Sequence, residues 1–120
     1  MYEAFIDRLS AHNIDTASAL QRFVGSTDLY GKYLCAFLQD ENFREIAPAL
    51  ERDDFEAALN AAHTLKGVSG NLGMHRLFTA CSETVVLLRV QQYEQAKQSY
   101  AALKTAYDDV CAAITHCSAE

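Results

Sequence analysis

The sequence predicts an all-α fold, an up-down antiparallel four-helix bundle with additional short N-terminal helices. Three observations carry that prediction. Apolar residues recur at spacings of three and four almost throughout, no stretch alternates with period two, and one proline and five glycines are all that interrupt the pattern. The chain of 120 residues reads as a single domain, 1–120, without repeats, linkers or low-complexity tracts. A domain of that size buries about two-thirds of the surface its unfolded form exposes, so it needs neither disulfides nor a metal to fold.

The elements follow in order. Tyr2, Phe5, Ile6 and Leu9 mark a first short helix, and Leu20, Phe23 and Val24 a second that stops at Gly25. Ser26-Thr27-Asp28 is a polar entry to a third, whose stripe is Tyr30, Tyr33, Leu34, Phe37 and Leu38. Asn42 with Glu45 three residues on resembles a capping box for a segment carrying Phe43, Ile46 and Leu50. Pro48 lacks an N–H and crowds the preceding turn, so it either kinks that helix or marks a later start for it. Asp53 with Glu56 repeats the capping signature and opens a helix over about 53–72, which Gly73 ends. Leu77, Ala80, Cys81, Thr84 and Leu88 lie on a sixth helix. Tyr93, Ala96, Tyr100, Leu103, Tyr107, Val110 and Ile114 alternate steps of three and four, a seam for antiparallel packing.

Composition narrows the function classes. Sixteen acidic against ten basic side chains give a formal net charge of -6, with no Lys/Arg cluster, which argues against nucleic acid and anionic lipid as partners. A protein partner fits better. The N-terminus has acids among its apolar residues and no basic n-region, and no apolar run approaches the roughly 20 residues of a membrane span, so a cytoplasmic protein that does not enter the membrane is expected. Cys35, Cys81, Cys111 and Cys117 contain no C-x-x-C pair, and at least three fall on apolar stripes where reduced thiols act as small hydrophobes. His116 and Cys117 are adjacent and would point apart on a helix, so no metal site is expected.

The helix from Asp53 holds the chemistry. At about 100° per residue, Phe55, Ala58, Ala62, Leu65, Ser69 and Leu72 share one arc, which must face the core. His63 lies off that arc, on the flank of Glu56, Asn60, Gly67 and Gly70, and projects towards solvent from a rigid helix. A helical glycine costs about 0.8–1 kcal/mol relative to alanine, yet Gly67 and Gly70 stand at i+4 and i+7 from His63. They leave bare backbone beside the ring, the access that another folded protein's active site would need, though helix glycines as often serve close packing. Lys66 at i+3 is within side-chain reach and could donate charge-assisted hydrogen bonds to phosphoryl oxygens. A neutral imidazole offers a ring nitrogen as nucleophile. Taken alone, a helical histidine is an ordinary surface residue and Lys66 an ordinary solvated lysine.

The run Ala62-His63-Thr64-Leu65-Lys66-Gly67-Val68-Ser69-Gly70-Asn71-Leu72-Gly73 changes that weighting, because it closely resembles the signature of histidine-containing phosphotransfer (HPt) domains. The resemblance covers about residues 14–115 and is sharpest over 53–77. It implies that His63 is the phosphoacceptor, that Lys66 lies beside the phosphate, and that Gly67 keeps the approach open. It further implies a phosphocarrier without kinase activity or cofactor of its own, expected to be a monomer. Its partners would be response-regulator receiver domains, which supply the magnesium, and a hybrid sensor histidine kinase. Pro48 and the pair Thr84-Val85, where Leu-Glu is common, depart from the family pattern without touching the chemistry. The competing function is a non-catalytic helical module that binds or sequesters a receiver domain.

Overall fold

The computed structural model describes residues 1–119, and among them it contains seven α-helices, one 3-10 turn and no strand. The helices are α1 (Glu3–Leu9), α2 (Thr16–Arg22), α3 (Thr27–Phe37), α4 (Asn42–Glu51), α5 (Phe55–Asn71), α6 (His75–Arg89) and α7 (Tyr93–Ser118), with the 3-10 turn Ser10–His12 after α1. Four of them make the bundle: α5 packs between α4 and α6, and α6 packs on α7. Their links are short, 52–54, 72–74 and 90–92, so each helix turns straight back along its neighbour.

Those three links share one backbone solution. Asp53, Gly73 and Gln91 are left-handed, with φ of 57°, 79° and 61°. The N–H of the residue after each donates to the carbonyl five residues back, Asp54 to Ala49, Met74 to Ser69 and Gln92 to Leu87, all at 2.9 Å. This is the Schellman arrangement, which satisfies carbonyls that a helix end would otherwise orphan. Only one of the three uses glycine, so sequence alone marks only that one plainly.

At 26 residues α7 is about 39 Å long by its rise per residue, close to the 44 Å long dimension of the molecule. It therefore outruns α5 and α6, and α1 and α3 pack against it. Arg8 on α1 fixes this end by donating to the Cys117 carbonyl from Nε at 3.0 Å and from an Nη at 2.6 Å. One hydrophobic core runs through the whole assembly, from Leu9, Tyr30 and Leu34 to Ile46, Leu65, Leu77, Leu103 and Ile114. Cys81 and Cys117 are buried in it, while Cys35 and Cys111 are half-buried. Among the described residues no helix is long and apolar enough to cross a membrane.

Several local expectations are corrected. Helix α4 runs through Pro48, which therefore marks no later start. Asn42 is inside α4 rather than capping it, and the Asp40 carboxylate accepts from both its backbone N–H and its side-chain amide, at 3.3 and 2.7 Å. The cap of α5 sits one residue later than the Asp53–Glu56 spacing suggests: Asp54 accepts from the Ala57 N–H at 3.2 Å, and Asp53 is the left-handed residue before it. Thr84 has a structural role, since its hydroxyl and that of Ser99 lie 2.7 Å apart across the α6–α7 seam, satisfying a buried polar group. Val85 beside it is in the core.

Candidate functional site

Helix α5 is fixed at both ends and along one face. Asp54 caps its start, and at its end three carbonyls are taken by side chains from the N-terminal helices. Tyr30 donates from its hydroxyl to the Leu72 carbonyl at 2.8 Å. Arg22 donates to the carbonyls of Gly70 at 2.8 Å and Asn71 at 3.1 Å. A guanidinium at a helix C-terminus also answers the negative end of the helix dipole. The inner face buries Ala58, Ala61, Ala62, Leu65 and Ser69, and the small alanines let the flanking helices approach closely. Ser69 is fully buried and turns its hydroxyl back to the Lys66 carbonyl at 3.0 Å.

His63 sits mid-helix opposite this face and is exposed, as are Glu56, Asn60 and Thr64. Among the described residues nothing hydrogen-bonds its ring. The flank towards α6 carries Lys66, half-buried, with Nζ 5.7 Å from the centre of the Phe78 ring.

The two glycines differ. A Cβ built on Gly67 would meet nothing within 4 Å, so the surface next to His63 is bare there. A Cβ on Gly70 would lie 3.0 and 3.2 Å from Cδ1 and Cε1 of Phe78. Gly70 therefore lies against an aromatic ring, whereas Gly67 faces open space. Gly70 is a packing glycine that makes room for an aromatic ring on α6.

Beyond Gly67 the surface opens into a groove of about 570 Å³ between α5 and the N-terminal helices, lined by Val68, Asn71 and Leu72 on one side and Phe23, Leu29 and Tyr33 on the other. Leu29 and Tyr33 are exposed at its rim. Sequence reasoning missed this groove, the Arg22 clamp and Phe78, because each depends on contacts between helices rather than on spacing within one. Among the described residues no group of three or more metal-capable side chains comes together.

Residues 33–113, from α3 into α7, match the family model described as Hpt domain. The chain belongs to the Hpt family. Hpt domains are four-helix phosphotransfer modules of phosphorelays and are not kinases, so a phosphotransfer role comes with membership. No curated protein and no solved structure matches the chain. The matched stretch of this Hpt domain takes in α5 whole, with His63, Lys66 and both glycines, and leaves α1 and α2 outside.

Proposed function

We propose that His63 carries the phosphoryl group and exchanges it with an aspartate on a response-regulator receiver domain. The observation that carries this reading is an exposed, unengaged imidazole at the centre of a helix held at both ends, within a chain that belongs to a phosphotransfer family. In the forward step a ring nitrogen of His63 attacks the phosphorus of the receiver's acyl phosphate. The P–N bond forms as the P–O bond breaks, and the bonding pair leaves with the carboxylate. In the reverse step a receiver carboxylate attacks and the imidazole leaves. Transfer of this kind depends on alignment and charge neutralisation more than on covalent catalysis, so a rigid helix is a useful platform.

Lys66 sits one turn away and would donate to phosphoryl oxygens, while the partner's magnesium balances the rest of the charge. The partner approaches over Gly67, where there is no side chain to displace, and the groove lined by Tyr33, Leu29 and Val68 offers an apolar landing next to it. A hybrid sensor kinase would supply phosphoryl groups through its own receiver.

The test is phosphoryl uptake from a phosphorylated receiver domain. His63→Gln should abolish acid-labile, base-stable label while leaving the helical circular dichroism unchanged. Retained label in that variant would move the acceptor to another residue.

A further inference from the structure

We propose that Phe78 is a positioning residue for phosphoryl transfer: its ring holds the Lys66 ammonium beside His63 without neutralising it, and Gly70 is glycine because it seats that ring. This rests on the reading of His63 as phosphoacceptor. It assigns work to two residues, Phe78 and Gly70, that the reading leaves unexplained.

Lysine is a poor positioning group by itself, since its stem has four rotatable bonds and its rotamer entropy is large. A carboxylate partner would fix it but would also cancel its charge and occupy its donors. An aromatic face does something different. The ring quadrupole attracts a cation lying within about 6 Å, yet it brings no formal charge of opposite sign.

The protein contains both solutions, which allows a direct comparison. Lys97 lies over the Phe55 ring with Nζ 5.7 Å from its centre, and it also pairs with Asp53 at 2.7 Å. Asp53 raises the Lys97 pKa, first through that hydrogen bond. Lys66 lies at the same 5.7 Å from the Phe78 ring, but among the described residues no carboxylate pairs with it. Lys97 is a structural tie between α5 and α7. Lys66 is held in place with its charge and its three N–H donors still available for phosphoryl oxygens.

The backbone that carries the ring is held in α6, and the ring packs on Gly70. Phe78 is half-buried in the first turn of α6, its N–H donating to the Met74 carbonyl at 2.9 Å and its own carbonyl accepting from the Ser82 hydroxyl at 2.8 Å. Its edge fills the space a side chain at Gly70 would take, with Cδ1 3.0 Å from the position of an added Cβ. Gly70 seats Phe78, Phe78 carries Lys66, and Lys66 stands one helical turn from His63 on α5. When His63 is phosphorylated, the ammonium turns from ring to oxygen instead of being collected from solvent.

The experiment is a double-variant cycle on the full chain with phosphoramidate as donor, so that partner docking does not enter. The His63 nitrogen attacks its phosphorus and ammonia leaves. Phe78→Leu should slow uptake about two- to fivefold, the range that an exposed cation–π contact supports. Phe78→Trp, which keeps a π face, should retain the parent rate. In a Lys66→Ala background Phe78→Leu should have no further effect. An unchanged rate in Phe78→Leu, or an equal loss with and without Lys66, overturns the proposal. The same assay on His63→Gln reports separately on the acceptor itself.

A measurement on the parent protein covers the case in which Phe78→Leu does not fold. The Lys66 Hε protons should be shifted upfield by the ring and should lose that shift on phosphorylation. Shifts equal to those of the exposed Lys32 before phosphorylation, or unmoved after it, overturn the proposal as well.

Discussion

The N–H of Asp15 donates to the Gly73 carbonyl at 2.9 Å, which ties the start of α2 to the end of the helix that carries His63. The tie leaves no room for a side chain on Gly73: an added Cβ would collide with the Asp15 carbonyl and reach 3.4 Å from the Ala19 methyl. Gly73 is also left-handed at φ 79°, where an L-residue costs about 1–2 kcal/mol before any clash is counted. Gly73→Ala should therefore lower stability by about 2–3 kcal/mol. Urea denaturation would measure it, and a change below the experimental error would mean that α2 and Gly73 separate freely.

The side chain of Asp15 predicts a pH dependence. Asp15 has a carboxyl held below its ordinary value of 3.8, first by its hydrogen bond to His75 and then by the Ser18 N–H that it caps. His75 Nε2 lies 3.0 Å from Oδ2, and Arg22 adds a favourable charge nearby. A depressed carboxyl stabilises the fold above its unfolded pKa and loses that contribution as the pH falls through its folded one. Asn at position 15 would still cap α2 while removing the charge. Parent and Asp15→Asn should therefore differ in thermal stability near neutral pH and converge as the pH drops below about 3.8. A constant difference across that range would assign the effect to shape rather than to ionisation.

How much of this could be read from the chain alone differs from residue to residue. The helix of His63 was legible because its core residues share one arc, and that arc fixes which way the imidazole points. Its start was off by one residue because Asp53 and Asp54 are both competent caps, and only the Schellman turn decides that Asp53 is left-handed. The turn at Gln91 carried no signal, since glutamine has no preference for that backbone. Arg22 and the carbonyls it caps are 48 and 49 residues apart, and no local pattern encodes such a pairing. Gly67 and Gly70 look equivalent in sequence. What separates them is a ring contributed by the next helix.

That difference can be measured. Gly67→Ala adds a methyl group to open surface and removes a poor helix former, so it should raise stability by about 0.8–1 kcal/mol. Gly70→Ala gains the same propensity but pushes against Phe78, and should be neutral or destabilising. Function should follow a different order. Gly67→Leu should fold normally, accept phosphoryl groups from phosphoramidate at the parent rate, and exchange them poorly with a receiver domain, because the added side chain would stand in the proposed path of the partner. Equal receiver transfer in Gly67→Leu and parent would show that the partner reaches His63 from another side.

Val24 gives the clearest case of local strain. It ends α2 at φ 56°, in the left-handed region that a β-branched residue adopts least readily, and it is followed by Gly25 at φ 74°. The residue is 93% exposed, so no packing compensates. The Gly25 N–H donates to the Leu20 carbonyl at 2.8 Å, which completes the helix end and holds Val24 in that conformation. Asparagine tolerates the same backbone because its short polar side chain can hydrogen-bond locally. Val24→Asn should therefore stabilise the protein by about 1 kcal/mol without losing a buried contact. Chemical denaturation of the two proteins would decide it. If Val24→Asn is instead the less stable, the valine must bury its side chain in solution, and the exposed end of α2 would be a contact surface.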